Sequence, residues 1–275
     1  MSNQGSFQKA QKRNHRPLIT LTTDFGLQDY FVGSLKGVIL SQVPEAQIID
    51  ITHEIRRHDV VSAAFIVKET IKNFPQGTIH LIVIDPGVGT TRRNLIVVKE
   101  GQFFVAPDNG VLSYIYQEAG SLAFEVLDTE ILRLKRSPTF AGRDHFAPIA
   151  ALLAGGRPPE GLGREISDYL LMHELFPERS GQDLAGKIVY FDHFGNAITN
   201  LNDQVIQNRD DFKLELRGHI LRGLKGNYSE GEREGGNLIM NSSGQLEIFV
   251  PFGNAKESLG LNLLDDLLIR HFYRN

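Results

Sequence analysis

The stretch Thr78-Ile79-His80-Leu81-Ile82-Val83-Ile84-Asp85-Pro86-Gly87-Val88-Gly89-Thr90-Thr91-Arg92-Arg93 decides how this chain is read. It opens as a short, nearly continuous apolar run, the pattern of a strand buried on both faces of a parallel sheet. The run stops at a carboxylate, a proline and two glycines. In open α/β sheets, ligands and chemistry sit just past the carboxyl ends of the strands. Asp85 with Arg92 a few residues on therefore reads in two ways. The pair binds and orients a small polar reactant, or the acid holds a tight turn.

Working outward, the pattern upstream alternates strand and helix. Leu18 to Thr23 reads as the first strand and ends at Asp24-Phe25-Gly26. Phe31, Leu35, Val38 and Ile39 fall on one helical face, and Pro44 closes that helix. Gln47 to Ile51 is a second strand. Val60, Ala63, Ala64, Val67 and Ile71 mark a second helix that ends near Phe74-Pro75-Gln76-Gly77. This order implies right-handed crossovers and a mostly parallel sheet. Downstream, Leu95 to Lys99 and Phe103 to Ala106 are shorter strands. Pro107-Asp108-Asn109-Gly110 turns into a helix through Leu112, Ile115 and Tyr116, and Phe140 to Ala154 is a turn followed by an apolar helix.

The character changes after Arg157-Pro158-Pro159. Residues up to Gln182 read as a connector. From Gly186 the pattern is short strands with Gly and Asn turns: Lys187 to Phe191, Phe212 to Arg217, Leu238 to Met240, Leu246 to Val250 and Leu267 to Tyr273. Such spacing without helices points to a small β-barrel or sandwich. The expected architecture is an α/β N-terminal domain with a mostly parallel sheet, plus a smaller C-terminal all-β barrel domain. The expected boundaries are a mobile leader at 1–16, the α/β domain with its connector at 17–182, and the β-barrel domain at 183–275.

Composition narrows the function classes. The 275 residues are 41% hydrophobic and 23% charged, as in an ordinary globular protein. A net charge of −4 without a basic block gives no electrostatic footprint for nucleic acid. The absence of cysteine removes disulfides, thiolate metal sites and cysteine nucleophiles. No apolar run is long enough to span a bilayer, and residues 1–16 lack the apolar centre of a signal peptide. A cytoplasmic protein with no membrane partner is expected. Asn227-Tyr228-Ser229 and Asn241-Ser242-Ser243 match glycosylation acceptors but carry no weight without a secretory signal.

Several short stretches carry candidate chemistry. Asp24-Phe25-Gly26 spells the kinase magnesium triplet, but the glycine loop, lysine strand and catalytic loop are missing. Asp24 at a strand end could instead accept both hydroxyls of a ribose, or cap the following helix. His53-Glu54-Ile55-Arg56-Arg57-His58 resembles a zinc helix motif with one residue too many, so surface or interface histidines are expected. Gly87 to Arg92 lacks the lysine and the spacing of a phosphate loop, so its glycines either admit a ligand close to the backbone or form a tight turn. His145, beside Gly142-Arg143-Asp144, is a base, an orienting group or a cap. Asp192-His193-Phe194-Gly195-Asn196 offers an acid, an aromatic ring and an amide together, or simply an Asx-type turn. Asn241-Ser242-Ser243-Gly244, followed by Glu247 and Val250, is on its own a hairpin.

These motifs are far more specific in combination. Thr22-Thr23-Asp24-Phe25-Gly26, Ile84-Asp85-Pro86-Gly87-Val88-Gly89-Thr90, Ala106-Pro107-Asp108-Asn109-Gly110, Gly142-Arg143-Asp144, Asp192-His193-Phe194-Gly195-Asn196 and Asn241-Ser242-Ser243-Gly244 occur in the order of one family. From about Leu18 onward the chain resembles the S-adenosylmethionine hydroxide adenosyltransferases, the water-using relatives of fluorinase and chlorinase. That resemblance implies a homotrimer with active sites between subunits. It implies cleavage of S-adenosyl-L-methionine at the ribose C5′ to adenosine and L-methionine, with no cofactor and no metal. By position, Asp24 matches the acid that grips the ribose. Asp192 and Ser242 match residues around the methionine portion, and Asn196, Glu247 and Val250 match residues around adenine. Asp85 and Arg92 match two members of an Asp-Arg-His triad that orients water, where halogenating relatives carry tyrosine at the first position. The family's histidine directly precedes Gly-Arg-Asp. This chain has Ala141 there, and His145 stands one residue after the run as the candidate replacement. The alternatives are a halide-using adenosyl transferase, which the charge of Asp85 opposes, and a non-catalytic protein that binds S-adenosylmethionine or adenosine.

Overall fold

The computed structural model describes residues 16–117, 119–127, 137, 139–181, 183–206 and 212–271. Apart from Arg16, the expected leader lies outside the described residues, as do Gln182 at the expected domain boundary and Tyr273 at the end of the last expected strand. The expected two-domain architecture is present. Leu18–Thr23 (β1), Phe31–Gln42 (α1), Gln47–Thr52 (β2), Val60–Ile71 (α2) and Ile79–Val83 (β3) alternate as the patterning requires. Asn94–Lys99 (β4), Gln102–Pro107 (β5), Ser113–Gln117 (α3), Leu122–Val126 (β6), Ala147–Ala154 (α4) and Gly163–Ile166 (β7) complete the first layer set.

The first sheet has seven strands in the order β2-β1-β3-β5-β4-β6-β7. Pairing is parallel across β2-β1-β3-β5 and antiparallel from β5 to β7. Every residue of β3 is buried, as its continuous apolar pattern demands. Ile79, Leu81 and Val83 face a core shared with Leu35 and Ile39 of α1 and Ile149 and Leu153 of α4. Ile82 and Ile84 face the opposite layer, with Ala63 and Val67 of α2 and Ile115 of α3. A strand covered by helices on both sides needs apolar residues at both phases of its alternation.

His80 is the polar exception in β3, with 2% of its surface exposed. Its Nδ1 lies 2.8 Å from Thr20 Oγ1 and its Nε2 lies 2.6 Å from Gln102 Oε1, and the ring stacks on Phe104 at 4.9 Å between centroids. Burial pushes the imidazole down to about 4. In the unfolded chain it titrates near the ordinary 6.5, so the folded state disfavours the proton. The neutral ring contributes its full stability above about pH 6.5, and this is lost as pH falls toward 4. Chemical denaturation should show stability decreasing by roughly 3 kcal/mol across that window, with the slope reduced in His80→Gln.

The region expected as a connector is partly ordered into sheet. β7 extends the first sheet at its edge, and Glu178–Ser180 (β8) pairs with Asp183–Phe191 (β9) of the second. The second sheet continues through Ala197–Asn202 (β10), Phe212–Leu216 (β11), His219–Arg222 (β12), Leu224–Lys225 (β13), Asn237–Met240 (β14), Gln245–Phe249 (β15) and Asp266–His271 (β16), with the short helix Ala255–Ser258 (α5) before β16. It is nine-stranded and barrel-like, with the path β12-β11-β16-β9-β10-β15-β14-β13. Strand β10 was hidden in the sequence because Thr199, Asn200 and Asn202 resemble loop residues. In the fold their polar groups are satisfied: Thr199 Oγ1 donates to Leu246 O at 2.8 Å, and Lys187 N donates to Asn200 Oδ1 at 2.8 Å. The domains meet where Val61, Ala64 and Phe65 of α2 pack on Val189 and Ile198, with Phe65 stacked on Tyr190 at 5.0 Å.

Candidate active site

The strand order places one cleft. β1 pairs with β2 on one side and with β3 on the other, so the chain reverses its direction of growth between β1 and β3. Such switch points open a crevice at the carboxyl ends of the strands. Thr23 and Val83 are partners in the β1–β3 ladder, so Asp24 and Asp85 leave adjacent strands side by side. Both line a cleft of about 350 Å³ with Phe25, Asp29, Phe31, Arg57, His58 and Phe140.

Asp24 does not cap α1. The residue at that helix start is Tyr30, with no side-chain cap. Asp24 Oδ2 instead accepts from His58 N at 2.9 Å. His58 reaches this position with a left-handed φ of 66°, a conformation that costs a non-glycine residue energy and recurs at functional sites. The expectation of surface or interface histidines fails for His53. It is 3% exposed, with Nδ1 2.8 Å from Thr23 Oγ1 and Nε2 3.2 Å from Asp50 Oδ1, outside good hydrogen-bond geometry. The loop after β2 folds back against the end of β1, and Gly26 N donates to His53 O at 2.7 Å. Tertiary packing therefore buries a residue whose neighbours in sequence are polar.

Asp85 and Arg92 form a two-point pair. Arg92 Nε donates to Asp85 Oδ1 at 2.6 Å, and Nη2 donates to Asp85 Oδ2. This fork geometry fixes direction as well as charge. The side chains are only 6% and 12% exposed, respectively. Arg92 is held from its far side by Nη1 donating to Asn94 Oδ1, and its guanidinium lies 5.1 Å from the Phe146 ring centroid. His145 is not in the Asp85 cleft. It lines a neighbouring cavity of about 310 Å³ with Arg92, Asn94 and Ala141, and Ala141 faces both cavities. Asn94 was not singled out in the sequence, because an amide at the start of a strand has no local signature.

Gly142 to Phe146 forms a π-helical turn leading into α4. Arg143 and Asp144 pair there, Nε to Oδ1 at 2.6 Å and Nη2 to Oδ2 at 2.8 Å. Arg143 holds the Asp144 carboxyl below the usual range, with Ser137 N also lowering it against the burial that raises it. These two residues brace the turn that presents Phe140 and Ala141.

The second group of candidate residues lies on the C-terminal sheet. Asp192 Oδ1 accepts from Phe194 N at 2.9 Å and Asn196 N at 2.8 Å, and Oδ2 accepts from Asn196 Nδ2 at 2.9 Å. This is the Asx-type turn, closed by Gly195 at φ 83°, where a Cβ would also run into the Asn254 amide. Asp192, Phe194, Asn196, Tyr228, Val250 and Phe252 line a cavity of about 480 Å³. Glu247 stands behind it, 3% exposed, accepting from Tyr228 Oη at 2.8 Å and Asn241 Nδ2 at 3.1 Å. Burial pushes the Glu247 carboxyl up, and these two donors pull it partly back. Ser242 is exposed on the β14–β15 turn and lines neither cavity. Within one chain the two clefts share no lining residue. Each has an exposed aromatic edge: Tyr30 (67%) packs on Phe31 and Phe140 of the first, and Phe194 (72%) and Phe252 (96%) line the second.

Comparison with known proteins places both clefts within matched regions. Residues 19–163 match the SAM hydroxide adenosyltransferase N-terminal domain, and residues 186–268 match the C-terminal domain. The chain is 33% identical over 266 residues to (R)-S-adenosyl-L-methionine hydrolase of Methanocaldococcus jannaschii, covering 92% of this chain and 95% of that protein. It is 32% identical over 215 residues to fluorinase of Nocardia brasiliensis, covering 68% of this chain and 72% of that protein. A solved structure of an uncharacterised conserved protein from Thermotoga maritima superposes with a TM-score of 0.81 at 32% identity, covering 91% of this chain and 99% of the other. Among the described residues no helix is long and apolar enough to cross a membrane.

Proposed function

Because the chain belongs to the SAM hydroxide adenosyltransferase family, we propose that it is an S-adenosyl-L-methionine hydrolase that forms adenosine and L-methionine. Water attacks the ribose C5′, the C5′–S bond breaks, and the sulfonium leaves as the neutral thioether of methionine. One proton is released. The leaving group is already activated by its charge, so the protein supplies an aligned water and a dry cleft rather than a strong acid. No cofactor takes part, and the reaction runs in the cytoplasm.

The observation that carries this reading is the Asp85–Arg92 pair beside Asp24 at adjacent strand ends. Asp24 takes the ribose hydroxyls. Asp85 accepts a hydrogen bond from the attacking water and then its proton, and Arg92 fixes the aim of that carboxylate. A carboxylate here favours water over halide, since like charges repel strongly in a dry cleft. His145 acts on the Arg92 side, through the cavity it shares with Asn94. His145→Ala is therefore expected to lower kcat by about tenfold or less, below the usual range for a primary acid–base residue. A loss as large as that of Asp85→Ala would make His145 a direct participant.

Asp192, Asn196, Glu247 and Val250 complete the site around adenine and methionine, with Ser242 at its edge. Asp192, Asn196 and Val250 line a cavity separate from that of Asp24 and Asp85, and Glu247 stands behind it. We assign the complete site to the junction of two copies in a homotrimer, with the C-terminal cavity of one chain closing the N-terminal cleft of the next. Sedimentation equilibrium should give three copies, and mixing Asp24→Ala with Asn196→Ala protein should restore part of the activity that each lacks. A monomer with full turnover would refute this arrangement.

Incubating the pure protein with S-adenosyl-L-methionine in halide-free buffer tests the reaction. Adenosine and methionine are expected in equal amounts. Halogenated adenosine appearing only with added halide, or tight binding without conversion, would replace the proposal with one of the alternatives.

A further inference from the structure

The motif Ala106-Pro107-Asp108-Asn109-Gly110 takes no part in the proposed chemistry, yet it holds both ends of the loop that does. Asn109 Nδ2 donates to Ile84 O at 2.8 Å, directly before Asp85. The ladders of β3 have already ended there, with β5 at Leu81 and with β1 at Val83, so the Asn109 amide supplies a donor that no strand provides. At the other end, Asp108 N donates to Arg93 O at 3.0 Å. Asp108 Oδ2 accepts from Arg93 Nε at 2.9 Å and from Nη2 at 2.7 Å. The excursion that carries Asp85 and Arg92 thus leaves the sheet and returns to it against one four-residue turn.

The same turn also receives the connector to the second sheet. Arg93 Nη1 donates to Asp168 Oδ1 at 2.8 Å and Nη2 to Asp168 O at 2.7 Å. Leu170 N donates to Asp108 Oδ1 at 2.9 Å, and Met172 N donates to Ser113 Oγ at 2.9 Å. Gly110, at φ 90°, packs so closely that a Cβ would run into Met172.

We infer that Asp108 and Asn109 are positioning residues: they clamp the loop 85–93 at both ends, set the register of the Asp85–Arg92 pair, and tie it to the connector segment. The inference rests on the reading of that pair as the water-orienting group. A pair that must aim a water is sensitive to displacements of about 1 Å, which can cost about 10²-fold in rate.

Asn109→Asp is the discriminating variant. It keeps the acceptor for Val111 N, which lies 3.2 Å from Asn109 Oδ1, and replaces the donor to Ile84 O with a carboxylate oxygen that repels it. Hydrogen exchange of amides in 85–94 is expected to accelerate about tenfold or more, while kcat for S-adenosylmethionine falls about 10- to 100-fold. Adenosine affinity and Tm should stay near those of the native protein, and Arg164→Ala, at an exposed pair with Glu125, should change none of these. Unaltered exchange over 85–94 in Asn109→Asp overturns the clamp, whatever the protein catalyses. Equal losses in Tm, adenosine affinity and kcat would also overturn it, leaving the turn as a general folding element. Accelerated exchange in a protein whose native form never converts S-adenosylmethionine would uphold the clamp and refute the reaction.

Discussion

Replacing Asp85 by alanine should lower turnover of S-adenosylmethionine by about 10²- to 10⁴-fold, the span typical of a positioned acid–base group, while adenosine affinity changes by less than about threefold. Asp85 is 6% exposed and gripped at both oxygens by Arg92, which is itself 12% exposed. On the proposed mechanism an alanine removes the acceptor that aims the water, and it takes from the guanidinium its carboxylate partner. Both effects fall on the transition state, where water must stand in line with the breaking C5′–S bond. Adenosine lacks that sulfur, so its binding reports the rest of the cleft. Single-turnover rates beside equilibrium titration with adenosine separate the two. Normal turnover by Asp85→Ala would show that the water site lies elsewhere.

The complementary result is expected at Asp24. Asp24→Ala should weaken adenosine by about 10- to 100-fold, the worth of charge-assisted hydrogen bonds at about 1.5–3 kcal/mol. Its carboxylate lies at the end of β1, anchored by His58 N at 2.9 Å, and an ionised carboxylate can accept further hydrogen bonds. The ribose hydroxyls are the same in substrate and transition state. The loss should therefore appear mainly in KM, with kcat less affected. 2′,3′-Dideoxyadenosine should bind native protein and Asp24→Ala alike. A large preference for adenosine that persists in Asp24→Ala would assign the ribose to another group.

The contrast between Asp24 and His53 shows where sequence reading stops. Asp24 was legible because it ends a regular strand and begins a recognisable motif. Burial of His53 depends on the loop after β2 folding back on Thr23, a contact set by packing across the sheet end and absent from any local pattern. Asn94 and Tyr228 escaped for the same reason. Each acts by holding another side chain, Arg92 or Glu247, and a hydrogen-bond partner distant in the fold leaves no periodicity behind. Strand β10 was obscured by its own composition, since threonine and asparagine signal turns until a neighbouring strand satisfies them.

The sequence alone determined the strand–helix alternation up to β3 and the family, because hydrophobic period and ordered motifs are properties of the chain itself. It also marked Asp85 as the acid at a buried strand's end. Only the tertiary structure decided that Asp85 is forked by Arg92, and that His145 lies on the far side of that arginine. It also kept the Asp192 turn out of the cleft that holds Asp24 and Asp85. Those outcomes depend on directions and distances between segments remote in sequence, and these are fixed only when strands register and side chains pack.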